Sequence, residues 1–147
     1  NIQKAITYYS SCMDKNGNAR CNLGDLYENM EDDYTTAFYC YLAAAEMGIV
    51  MAFNKLGDYY YYTEDDYLEA LTYYLLASSM GNVDAVVNIA DIFYHIIDDK
   101  KTAIKYYMSA IKNKNGLAMN NLADLYFSDD DIDKAEKYFL QKKISNY

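Results

Sequence analysis

The chain has no proline and no tryptophan, a single histidine, six glycines and three cysteines in 147 residues. Without proline, no helix need be kinked or broken from within. One histidine, His95, rules out a multi-histidine metal site inside the chain and would make any Cys–His nucleophilic pair depend on that residue alone. Its place near the end of a predicted helix suits an imidazole meeting the last carbonyls. Cys12, Cys21 and Cys40 are odd in number and lack C-x-x-C spacing, and no N-x-[ST] sequon occurs. Both points favour a reducing, intracellular and cytoplasmic setting. Basic residues are scarce, 13 against 22 acidic, for a net charge of −9 and a pI near 4.4. Nucleic acid and anionic membrane are therefore disfavoured as partners, because both bind through Lys and Arg. No apolar run approaches the roughly 20 residues that span a bilayer, and the N-terminus lacks a signal-peptide pattern.

What is present is a repeat. Leu23-Gly24-Asp25-Leu26-Tyr27 recurs every 33 residues as Leu56-Gly57-Asp58-Tyr59-Tyr60, Ile89-Ala90-Asp91-Ile92-Phe93 and Leu122-Ala123-Asp124-Leu125-Tyr126. Ala19, Ala52, Ala85 and Ala118 precede these runs in the same register. A second element, A-x-x-Y-Y-x-x-A in its fullest form, starts at Ala5, Ala37, Ala70, Ala103 and Ala135. Positions 0, 3, 4 and 7 share one helical face. Small residues at 0 and 7 permit close helix approach, and the aromatic pair fills the space beside them. Cys12 and Cys40 replace an alanine and a tyrosine of sister repeats and read as small apolar core residues.

These patterns predict an all-α, right-handed α-solenoid of antiparallel helix pairs: an A helix carrying the tyrosine pair and a B helix carrying the leucine–glycine run. Nine helices are expected near 2–13, 17–30, 33–46, 49–62, 66–79, 82–96, 99–112, 116–127 and 131–143. Four pairs and a last A helix make one repeat domain over 1–147, with units at about 1–32, 33–65, 66–98, 99–130 and 131–147. The chain opens inside the first repeat, as a segment of a longer protein would. Gly17, Gly48, Gly81 and Gly116 are expected to supply left-handed turns between A and B helices. The acidic B-to-A turns, with Asp32, Asp65, Asp98 and Asp131 in register, are expected to cap the next helix.

The best copy runs from Ala37 to Tyr60, with Ala37, Tyr41, Ala44, Gly48, Ala52, Leu56, Gly57 and Tyr60 in place. It resembles the Sel-1-like repeat, a relative of the tetratricopeptide repeat. The period of 33 is closer to the tetratricopeptide unit, and Gly24 and Gly57 give way to Ala90 and Ala123 in later copies. The resemblance implies a non-enzymatic adaptor or scaffold that binds a protein or peptide on a concave face lined by A helices. Two alternatives stay open: a structural subunit held in a larger multiprotein assembly, and a regulatory repeat segment attached to an enzyme outside this sequence.

Other chemistry fares poorly. Asp14-x-Asn16-x-Asn18 with Asp25 imitates a calcium loop, but its sixth position, which needs glycine, is Ala19. Asp129, Asp131 and Asp133 fail likewise, with Lys134 sixth and Leu140 twelfth. No phosphate loop, G-x-S-x-G or H-E-x-x-H occurs. No catalytic residue, metal or cofactor is assigned. About two-thirds of the 19 tyrosines read as packing, whereas Tyr39, Tyr61 and Tyr62 break register and are better placed for outside contact. Helical geometry puts Asp25, Asp58, Asp91 and Asp124 opposite the core, as an exposed acidic row. The positions two, six and nine after each A-helix alanine point away from the core. They are Tyr39, Ala43 and Glu46, then Thr72, Leu76 and Ser79, then Lys105, Ser109 and Lys112. Their variation between repeats marks them as the expected partner-binding residues.

Overall fold

The computed structural model describes residues 6–7, 9–10 and 16–145. The expected helix over 2–13, with Ala5, Tyr8 and Cys12, therefore falls largely outside the described residues, as does Asp14. Those described form eight helices: α1 (Gly17–Met30), α2 (Tyr34–Glu46), α3 (Val50–Tyr62), α4 (Tyr67–Ser79), α5 (Val83–His95), α6 (Lys100–Lys112), α7 (Gly116–Ser128) and α8 (Ile132–Ser145). None of these is long and apolar enough to cross a membrane. The chain divides into two compact units, Asn1–Asn82 and Val83–Tyr147.

In each unit the register of the repeat is the register of the core. On α2, Ala37, Tyr41 and Ala44 are buried, and on α3, Ala52 and Leu56 lie against them. The second unit repeats this with Ala103, Tyr107 and Ala110 on α6 and Ala118, Leu122 and Ala123 on α7. Alanine at these sites lets backbones approach and leaves room for one large ring. The tyrosine supplies most of the buried area.

The closest packing joins each B helix to the A helix that follows it: α1 to α2, α3 to α4, α5 to α6 and α7 to α8. Gly24 and Gly57 show why in the first unit. A Cβ at Gly24 would stand 2.6 Å from the Tyr41 ring, and one at Gly57 would stand 2.5 Å from the Tyr74 ring. Parallel ring stacks close three of these hairpins: Tyr60 on Tyr73, Phe93 on Tyr106 and Tyr126 on Tyr138, with centroids 5.4, 5.6 and 5.9 Å apart.

The turns differ from expectation by one residue. The aspartates that cap are Asp33, Asp66, Asp99 and Asp131, which accept from the backbone N–H of Thr36, Glu69, Thr102 and Lys134 at 3.0 to 3.3 Å. Of the four expected caps only Asp131 has that role. Asp32, Asp65 and Asp98 instead hold φ of 52°, 53° and 59°, as Asp130 does at 58°. The first aspartate reverses the chain in the left-handed conformation that Asp tolerates, and the second caps the new helix. Each turn is closed by a long backbone bond, such as Asp66 N–H to the Tyr60 carbonyl at 2.9 Å.

The glycine turns also split. Gly48 and Gly81 are left-handed, with φ of 78° and 95°. Gly17 and Gly116 are instead the first residues of α1 and α7, and Lys114 takes the left-handed position before α7 with φ of 63°. At Gly17 the demand is space: a Cβ would meet the Ile49 side chain at 2.5 Å.

Candidate functional site

The expected acidic row does not form as such. The Tyr41 hydroxyl donates toward Asp25 Oδ1 at 2.8 Å, and the Tyr74 hydroxyl donates to Asp58 Oδ1 at 2.8 Å. Tyr107 donates to Asp91 in the same way, again sixteen residues on. All three aspartates are half-buried, and only Asp124 of the four is exposed. Its would-be donor sixteen residues on is Leu140, because the last A helix begins one residue early. The reason lies in the neighbour. The following A helix lies along the flank of B that a lone helical wheel assigns to solvent.

A residue of the next B helix joins two of these bridges. Asn121 Nδ2 donates to Asp91 Oδ1 at 2.9 Å. Lys55, on the same register one repeat before Asn88 and two before Asn121, reaches Asp25 Oδ1 at 3.1 Å and Glu28 Oε2 at 3.4 Å. Glu28 also stands 2.5 Å from the Tyr41 hydroxyl. Two carboxylates thus share one phenolic proton, and the Lys55 ammonium balances them. Burial works to lower the Lys55 pKa, but the bond to Asp25 and the charges of Asp25, Glu28 and Asp58 outweigh it and hold the pKa above the ordinary lysine value. Burial pushes Tyr41, Tyr74 and Tyr107 far above the usual phenol range, and their carboxylate partners add to it. Burial likewise raises Asp91, more than its bonds from Tyr107 and Asn121 lower it.

The nine expected partner-binding residues lie on α2, α4 and α6. In the first unit Tyr39 is 63% exposed and Leu76 45%, Glu46, Thr72 and Ser79 are exposed, and Ala43 is half-buried. Tyr39 and Ala43 line a shallow groove of about 220 Å³ with Arg20, Leu23, Thr36 and Cys40. The Thr72 and Ser79 hydroxyls are turned onto their own helix, donating to the Leu68 and Leu76 carbonyls at 3.0 and 2.7 Å. They offer a partner less than their exposure suggests. In the second unit Lys105, Ser109 and Lys112 are exposed.

The residues weighed for other chemistry have structural posts. Asn16, from the calcium-like run, caps α1 by accepting from the Asn18 and Ala19 N–H groups. Asp131 caps α8. His95 ends α5, exposed, with its ring centroid 4.5 Å from that of Tyr94. Cys21 is buried, and its thiol is pushed up to about 11 by that burial, with the Asp25 charge adding to it. Burial raises Cys40 as well.

Sequence reasoning missed a second recess, of about 40 Å³, lined by Glu28, Tyr34, Lys55, Asp58, Tyr59 and Tyr62 among others. Tyr62 had been marked only by its break from register. The signal that could have found the rest is four consecutive tyrosines at 59–62, of which the repeat requires one.

Residues 117–141 match the tetratricopeptide repeat family. Among solved structures the chain is similar to a protective antigen of uropathogenic Escherichia coli with an SLR fold, at a TM-score of 0.78 and 22% identity over 97% of this chain and 33% of that one. It is similar to a Sel1 repeat protein from Oxalobacter formigenes at 0.78 and 20%, over 99% of this chain and 65% of that one. It is also similar to MamA at 0.71 and 21%, over 99% and 92%. The chain thus spans less than two-thirds of the length of the first two. No curated protein matches it. In fold, the chain resembles Sel1-like and tetratricopeptide-like repeat proteins, built of successive helix pairs.

Proposed function

We propose that this chain is a non-enzymatic scaffold that binds a protein or peptide through the outward residues of α2, α4 and α6: Tyr39, Ala43, Glu46, Thr72, Leu76, Ser79, Lys105, Ser109 and Lys112. The observation that supports it most is Tyr39, an exposed ring at the edge of an apolar groove. A large ring beside a groove is the kind of anchor that carries binding energy. The charge of −9 disfavours nucleic acid and anionic membrane as the partner. Replacing Tyr39, Leu76 and Lys105 together by alanine is expected to abolish partner capture with thermal unfolding little changed, since all three are exposed.

A second reading, a subunit held in a larger assembly, is favoured by α8. Phe139, Leu140 and Ile144 are 43%, 50% and 81% exposed there. If the triple variant still captures its partner while Leu140→Ser with Ile144→Ser does not, that reading replaces the first.

A further inference from the structure

The last A helix, α8, is covered less than its sisters. α2 and α6 each pack against the B helix before them and against the one that follows, α3 and α7. Their core-register rings are accordingly buried, Tyr41 at 2% exposure and Tyr107 at 0%. Phe139 holds the same register on α8, where α7 is the one closely packed helix among the described residues, and it is 43% exposed. Leu140 and Ile144 extend this apolar surface, and with Lys137 and Gln141 they line a shallow groove along it.

The charge of that surface is opposite in sign to that of the whole chain. Asp133 and Glu136 stand in the first two turns of α8, but from Lys137 onward there are three lysines and neither Asp nor Glu. Among the described residues no carboxylate pairs with Lys137, Lys142 or Lys143, whereas Lys55, Lys100 and Lys134 each have one. An apolar stripe with a basic rim fits an apolar surface with an acidic one. The first unit carries such a surface. Residues 1–82 hold 12 Asp and Glu against 4 Lys and Arg, while residues 83–147 hold 10 against 9. No Lys or Arg occurs between Lys55 and Lys100. Within that stretch Leu68 and Leu75, on one face of α4, are 75% and 44% exposed. Glu69 lies beside them, and Glu64 and Asp65 lie in the turn before α4. The Tyr59 and Tyr67 hydroxyls that bond those two, at 2.8 and 3.3 Å, leave their charge unbalanced.

We propose that this chain binds a second copy of itself head to tail. The α8 surface of one copy seats Phe139, Leu140 and Ile144 on Leu68 and Leu75 of the next, and Lys137 and Lys143 meet Glu69 and the acidic turn before it. This rests on the second reading above, that α8 is an assembly surface, and names what covers it. A symmetric contact of α8 on α8 would set lysine against lysine, so the charge selects the arrangement of two unlike surfaces. Such a contact leaves an unused α8 at one end of a pair and an unused α4 at the other. Association therefore continues into open chains or closes into rings. None of the nine residues of the proposed scaffold surface is among these contacts.

Sedimentation velocity of the protein from micromolar to millimolar concentration tests this. The parent is expected to gain mass with concentration at low salt and to lose it at high salt, because the contact pairs exposed charges. Lys137→Glu with Lys143→Glu, and separately Leu68→Lys with Glu69→Lys, should each be monomeric, since each sets like charges against one another. All four residues are exposed, and circular dichroism reports that each variant stays helical. An equimolar mixture of the two variants should associate again, because the basic α8 of one meets the acidic α4 of the other and the reversed pair is matched as well. Misfolding cannot produce that recovery. The proposal is overturned if the parent stays monomeric throughout, if salt leaves its association unchanged, or if the mixture is as monomeric as its components. A monomeric parent whose Leu140→Ser, Ile144→Ser variant still loses its partner would keep α8 as an assembly surface and strike self-association alone.

Discussion

The Tyr74 hydroxyl sits 2.8 Å from Asp58 Oδ1, on a helix that starts only after an aspartate turn. The same sixteen-residue bond joins Tyr41 to Asp25 and Tyr107 to Asp91, so each links a B helix to the A helix that follows. The tyrosine ring is fully buried in all three, and its hydroxyl emerges at the one place where a half-buried carboxylate needs a donor.

Removing that donor tests the bridge. Tyr74→Phe keeps the ring in the core and takes away only the hydroxyl, so its cost should be about 1.5 to 3 kcal/mol in urea unfolding, the range for a hydrogen bond to a charged group. Asp124→Asn is the control. That exposed aspartate has Leu140 where the others have a tyrosine, and its change should stay within about 0.5 kcal/mol.

Asp91 gives a pH dependence. Burial lifts its folded-state pKa above the unfolded value of about 3.9. A group shifted upward contributes its full stability below the unfolded pKa and loses it as the pH rises through the folded one. Near neutral pH the ionised carboxylate therefore costs stability relative to a neutral group of the same shape. Asp91→Asn keeps an oxygen for Tyr107 and Asn121. It is expected to raise the unfolding free energy at neutral pH, with the gain vanishing as the pH drops below about 4. Unfolding curves for both proteins across that range check the sign.

Gly57 makes a packing prediction. In a solvated helix, glycine to alanine gains about 1 kcal/mol of propensity. Here the new Cβ would be 2.5 Å from the ring of Tyr74, which is buried and cannot swing away. Overpacking of this kind costs about 1 to 3 kcal/mol, so Gly57→Ala should destabilise on balance. Chemical unfolding decides it; a more stable variant would show that the α3–α4 pair can part at no cost.

Much of the fold was legible because 33-residue spacing repeats the core: Ala37, Ala70 and Ala103, and Tyr41, Tyr74 and Tyr107, are all buried where the pattern puts them. The acidic row was misread because a wheel drawn for one helix omits the helix beside it. The constant offset from Asp25 to Tyr41, Asp58 to Tyr74 and Asp91 to Tyr107 carried the answer, and its failure at Asp124 carried the exception. The caps slipped by one residue since both aspartates of a pair suit a turn, and only backbone conformation separates the one that reverses the chain from the one that caps. Surface recognition was least legible. The groove beside Tyr39 depends on which side chains two helices bring together, the recess beside Tyr62 on three, and neither follows a repeat.

The aspartate turn, with the close helix contact on either side of it, also bears on how the chain reaches its fold. Partners separated by sixteen residues meet through a short loop, and the entropy of closing such a loop is small. Four hairpins of this kind lie along the chain, α1–α2, α3–α4, α5–α6 and α7–α8, each with its own local contacts. Low contact order favours rapid folding, and a repeat array can begin at any of several points. Tyrosine and aspartate thus give the first three of these hairpins a registration mark that each can find early, before distant parts of the chain have met.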